Sequence, residues 1–161
     1  MEHILSLANQ IIEHDEISLS DKLLRICNLI NDTAPKYTWV GFYFMEDETR
    51  ILHLGPYVGA ETEHLQIPYG RGICGQVAHS GSTYLADNVG EEQNYIACSA
   101  EVRSELVIPI YDDELLVAQL DIDSNEVAAF SKQEQQVLEE LCYSIGAQLG
   151  SDMHYEYLHE K

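Results

Sequence analysis

The run YTWVGFYFM at residues 37–45 most constrains what this chain can fold into. It is dominated by aromatic and β-branched residues, which favour extended backbone. A polar turn, EDETR, follows, and RILHLGPY returns as a second strand, so the two predict a hairpin. SELVIPIYDD and ELLVAQLDIDS predict another hairpin, turning around Asp112 and Asp113. Long stretches of helical spacing lie at the two ends. Ile4, Leu5, Leu7, Ile11 and Ile12 predict a helix over residues 3–14. Leu23, Leu24, Ile26, Cys27 and Ile30 predict a second, capped by Ser18 or Ser20 and ended before Pro35. Ser131 opens a long helix through about Leu149, with Val137, Leu138, Leu141, Ile145 and Leu149 as its apolar stripe. The middle of the chain predicts a strand around 62–67, a short helix from about Ile73 to His79 ended by Gly81, and a short strand at 83–86. Residues 87–102 read as polar and irregular.

Helices outside and antiparallel strands within predict an α+β fold. The expected organisation is one domain over 1–161, with N-terminal helices at 3–33, sheet and pocket at 37–125, and a C-terminal helix at 131–150. Strand alternation then sorts side chains by face. Val40, Phe42, Phe44, Leu106, Ile108, Ile110, Leu120 and Ile122 fall on one apolar face, which is expected to carry the helices. Trp39, Gly41, Tyr43, Glu105, Asp121 and Asp123 fall on the other. Two readings fit those acids. They are solvated residues of an acidic protein, or they line a pocket for a ligand with a cationic end and an apolar end.

The charge balance narrows the partners. Eight basic and 28 acidic residues leave a net charge of −20. Such a surface repels phosphate backbones and anionic lipid, so neither nucleic acid nor membrane is an expected partner. The N-terminus carries early acids and no charged-then-apolar leader, which makes the cytoplasm the expected location. In a reducing compartment a structural disulfide is not expected among Cys27, Cys74, Cys98 and Cys142. No CxxC pair and no histidine pair has ligand spacing, so no metal and no cofactor are expected. Cys27 and Cys142 lie on apolar helical faces and read as structural. Cys74 follows the glycine-rich turn of GRGICG and begins a helix. It is either a small buried residue at that junction or a thiol whose charge the helix N-terminus favours. Cys98 sits in a loop just before the strand that carries Glu105, a poor position for a core residue. His64 and His79 flank GRGICG, and either could touch the same region.

TWVGFYF, LGPYVGA, IPYGRGICGQVA, IACSA, SELVIPI and LDIDS occur in this order and spacing. Together they resemble a GAF domain, and more narrowly the free methionine-(R)-sulfoxide reductases, over about Tyr37 to Leu149. The resemblance implies a GAF-type fold, with a central antiparallel sheet, terminal helices on one face and a ligand pocket on the other. It implies Cys98 as the catalytic cysteine and Cys74 as a second active-site cysteine. Trp39 and Tyr43 match residues lining the methyl-sulfoxide end of the pocket. Glu105, Asp121 and Asp123 match acids that contact the sulfoxide and the amino group. Two positions depart from the pattern: a further cysteine, ten residues before that of GRGICG, is usual, and His64 stands there; an aspartate often follows IAC, and Ser99 stands there.

The implied activity is thiol-dependent reduction of free methionine-(R)-sulfoxide through a cysteine sulfenic acid. The implied partners are that amino acid and a thiol reductant such as thioredoxin. The apolar terminal helices either support a homodimer or only cover the sheet. The alternative is a non-catalytic GAF sensor that binds a small ligand and signals to a partner; at 161 residues, an attached output domain is not expected.

Overall fold

The structure is a computed structural model that describes residue 1 and residues 3–95 and 101–155. Helices α1 (Ile4–Ile12) and α2 (Leu19–Thr33) lead into strands β1 (Tyr37–Glu46), β2 (Ile51–Val58) and β3 (Gln66–Pro68). Helix α3 (Gly72–Ser80) follows, then β4 (Tyr84–Ala86), β5 (Ser104–Asp112), β6 (Leu115–Ser124) and α4 (Lys132–Leu149). All strands pair antiparallel in the order β3-β2-β1-β6-β5-β4. The two predicted hairpins, β1–β2 and β5–β6, are thus joined through β1 and β6. Among the described residues, no helix is long and apolar enough to cross a membrane.

The alternation read from the sequence decides which face receives the terminal helices. Val40, Phe42, Phe44, Leu106, Ile108, Ile110, Leu120 and Ile122 form one core with Ala8, Leu23, Ile26, Leu141 and Ile145. Serine caps start the two longer helices. Ser18 Oγ accepts from the Asp21 N–H at 3.1 Å, and Ser131 Oγ from the Glu134 N–H at 3.0 Å. Gly146 lets α4 lie directly on β5, because a Cβ there would stand 2.1 Å from the Tyr111 carbonyl oxygen. Cys27 and Cys142 are buried in this core, and burial pushes both thiols well above the ordinary range.

The opposite face carries α3 and a second apolar cluster around Trp39, Tyr43, Ile73, Val77 and Val107. One element differs from its prediction. The strand expected around 62–67 is shortened to Gln66–Pro68. Residues 60–64 are held instead by side chains of β1: Trp39 Nε1 donates to the Ala60 carbonyl at 3.1 Å, and the Tyr43 hydroxyl to that of His64 at 3.0 Å. Those carbonyls are satisfied without a ladder, so this segment passes over the sheet face and does not extend it.

Candidate active site

Sheet register assembles the polar face. Trp39 on β1 is opposite Asp123 on β6, which is opposite Glu105 on β5. One step along, Gly41 is opposite Asp121, and Asp121 is opposite Val107. The next row pairs Tyr43 with Gln119. Three acids therefore share a small area of one face. They are not solvated: Glu105 is 5% exposed, and Asp121 and Asp123 are each 1% exposed. The reading of these acids as surface residues is excluded.

Cys74 reaches the same area from above, in the first turn of α3. The turn needs positive φ at Gly70 (89°) and Gly72 (66°), which glycine adopts without a Cβ penalty. Asn94 clamps it, with Oδ1 accepting from the Gly72 N–H at 3.0 Å and Nδ2 donating to the Gly70 carbonyl at 2.8 Å. Gln119 Nε2 donates to the Cys74 carbonyl at 3.1 Å, tying the helix to β6. The Cys74 thiol then lies 3.9 Å from Glu105 Oε2. Its sulfur and one oxygen each of Glu105 and Asp121 all lie within 4.8 Å of one another. They border a cavity of about 10 Å³, which His64, Arg71 and Tyr43 also line. That is room for about one water molecule.

Trp39 closes the apolar side of this face. Its indole stacks on Tyr57 at 5.3 Å and on Tyr43 at 6.4 Å between ring centroids. The ring lies flat across β1 only because residue 41 is glycine: a Cβ there would fall 2.5 Å from the indole and 2.7 Å from Tyr57 Cβ.

The acids cannot all be charged in such a place. Burial pushes Asp121 up from the ordinary aspartate value, against hydrogen bonding from Glu105 and the Cys74 thiol. Asp123 is pushed well up by burial and by the Asp121 carboxylate, with Glu105 opposing. One oxygen of Asp121 and both of Asp123 are buried with no hydrogen-bond partner among the described residues. Buried polar atoms are seldom left in this state; a water, an ion or a ligand's polar group would satisfy them.

The structure thus brings Trp39, Tyr43, Glu105, Asp121 and Asp123 to one face, as alternation predicts, and Cys74 joins them from α3. Cys98 lies outside the described residues. His64 lines the cavity, whereas His79 lies apart from it, exposed and 3.4 Å from Arg50. Gln119 and Asn94 were missed. Gln119 shares the period of Asp121 and Asp123, so alternation alone could have found it; Asn94 carries no comparable signal.

Comparison with known proteins agrees with this geometry. A family model described as a GAF domain matches residues 13–149. The chain belongs to the GAF domain family. This GAF domain is 37% identical over 115 residues to Protein YtsP of Bacillus subtilis (strain 168), covering 68% of this chain and 70% of that protein. It is 32% identical over 126 residues to the free methionine-R-sulfoxide reductase of Escherichia coli (strain K12), covering 78% of this chain and 74% of that one. Its fold matches the free methionine-R-sulfoxide reductase of Neisseria meningitidis, solved in complex with its substrate, with a TM-score of 0.86 at 29% identity. That match covers 93% of this chain and 88% of the other. The six-stranded antiparallel sheet with its helices is the GAF fold, and this GAF domain is related to the free methionine-R-sulfoxide reductases.

Proposed function

We propose that this GAF domain reduces free methionine-(R)-sulfoxide to methionine. The observation that carries the reading is the buried cluster of Cys74, Glu105 and Asp121, bordered by Asp123 and the Trp39–Tyr43 wall. In this reading the methyl sulfoxide lies against Trp39 and Tyr43, and the α-ammonium pairs with Asp121 and Asp123. A peptide-bound residue lacks that charge, so the two aspartates select the free amino acid. The Cys98 thiolate attacks the sulfoxide sulfur, and Glu105 supplies the proton that the oxygen needs. Oxygen passes to the cysteine as a sulfenic acid, and methionine leaves. The Cys74 thiol then condenses with the sulfenic acid, forming a disulfide and releasing water. An external dithiol such as thioredoxin returns both cysteines to thiols, which suits a reducing compartment such as the cytoplasm.

Two consequences belong to the reading. The amino acid is far larger than a cavity of about 10 Å³, so binding needs more room than the described residues leave there. With His64 where the related reductases usually carry a cysteine, Cys74 is the resolving thiol. A homodimer through the terminal helices is compatible with this scheme and is not needed for it.

The second reading is a ligand-binding sensor, and His64 in the usual cysteine position is what favours it. Turnover of free methionine-(R)-sulfoxide with dithiothreitol separates the two. Wild type is expected to turn over and Cys98→Ser to be inactive. No wild-type turnover selects the sensor, and equal turnover in both removes Cys98 as the nucleophile.

A further inference from the structure

Cys74, Glu105 and Asp121 also have the composition of a metal site, one that sequence spacing conceals. Their candidate ligand atoms lie within 4.8 Å of one another, and each residue is at least nine-tenths buried. They border a cavity of about 10 Å³, the size of one ion or one water. Asp121 lines this cavity and keeps one carboxylate oxygen that is buried and without a partner among the described residues. A thiol and two carboxyls around a space of that size match the sulfur and oxygen donors that a borderline-soft cation takes, and Asp121 has an oxygen still unpartnered among the described residues.

We propose that these three residues bind a thiophilic divalent cation, with zinc the best match. Zinc accepts thiolate at about 2.3 Å and carboxylate oxygen at about 2.0–2.2 Å, which sets donor–donor spacings of about 3–4 Å. The sulfur and Glu105 Oε2 already stand 3.9 Å apart, so binding has only to close the widest separation, by about 1 Å, and leaves a fourth position for water. Magnesium and calcium are excluded by the sulfur and by the small number of oxygens. Binding displaces the thiol proton, and the metal's two positive charges offset the negative charge of the thiolate and carboxylates that hold it. The site overlaps that of the proposed reaction but does not depend on it: metal binding is read without turnover.

The test is titration of the full reduced chain with cobalt(II), whose thiolate complexes show an intense charge-transfer band, followed by displacement with zinc. Wild type is expected to bind one equivalent with that band, and zinc to abolish it. Cys74→Ser should lose the band. Asp121→Asn should weaken binding by more than about tenfold, the lower end of the loss typical of a ligand's hydrogen-bonding partner. Cys142→Ser, a buried thiol on the other face, should keep both, and far-UV circular dichroism checks that each variant is folded. The proposal is overturned if no thiolate band forms, if the band survives Cys74→Ser, or if Asp121→Asn binds as wild type does.

Discussion

Asp123 offers the sharpest test of how this face is built. Both of its carboxylate oxygens are buried without a partner among the described residues, and Asp121 stands beside it. Its native pKa is raised well above the ordinary value of 3.8. The folded state thus holds the proton at pH values where the unfolded chain has released it. Below 3.8 both states are protonated and the residue costs nothing. As pH rises from there to the raised native value, stability falls, by up to about 1.4 kcal/mol per pH unit for one proton. Asp123→Asn removes the titration and keeps the shape. Its stability relative to wild type should therefore increase with pH, by about 1–3 kcal/mol over two units within that window. Urea unfolding of both proteins at pH values stepped upward from about 4 measures this directly. In the proposed reaction the same variant binds the amino acid more weakly, so stability and binding move in opposite directions. A stability gap that stays constant, or that shrinks as pH rises, refutes the claim that Asp123 is buried at a cost.

Three further outcomes follow from the geometry. Gly41→Ala drives a Cβ into the Trp39 ring and should cost about 1–3 kcal/mol; because Trp39 is the one tryptophan, a shift in emission reports the displacement, and unchanged emission with unchanged stability contradicts it. Gly146→Ala meets the Tyr111 carbonyl at 2.1 Å, where backbone and not a mobile side chain must yield. It should destabilise the protein by at least about 1–3 kcal/mol in urea unfolding while leaving the Trp39 emission of the folded state unchanged. Mass spectrometry after oxidation by the sulfoxide should find Cys98 joined to Cys74; a bond from Cys98 to Cys27 or Cys142, both buried in the helix-side core, rules out Cys74 as the resolver.

Period and composition were enough to read the element order, the two hairpins and the division of the sheet into two faces. Alternation has a period of two, so once β1, β5 and β6 are recognised, the side of every residue is set. That is why Trp39, Tyr43, Glu105, Asp121 and Asp123 could be grouped before any coordinates. The sequence could not say whether the acids were wet. Exposure depends on what covers the face, and α3 and residues 60–64, which form part of that cover, are distant in sequence from β5 and β6. The shortened third strand has the same origin: the Trp39 and Tyr43 side chains capture carbonyls that local pattern would assign to a ladder.

By itself, then, the sequence determined the α+β architecture, the residues on each face and the GAF resemblance, because each rests on local spacing or on motifs in a fixed order. Only tertiary structure decided that Cys74, Glu105 and Asp121 meet around a cavity no larger than one ion. That meeting depends on a helix crossing two strands, on Gln119 holding its first turn to β6, and on Asn94 holding the turn before it. Long-range contacts of this kind leave no period in the chain, and the buried charge they create follows from packing, not from composition.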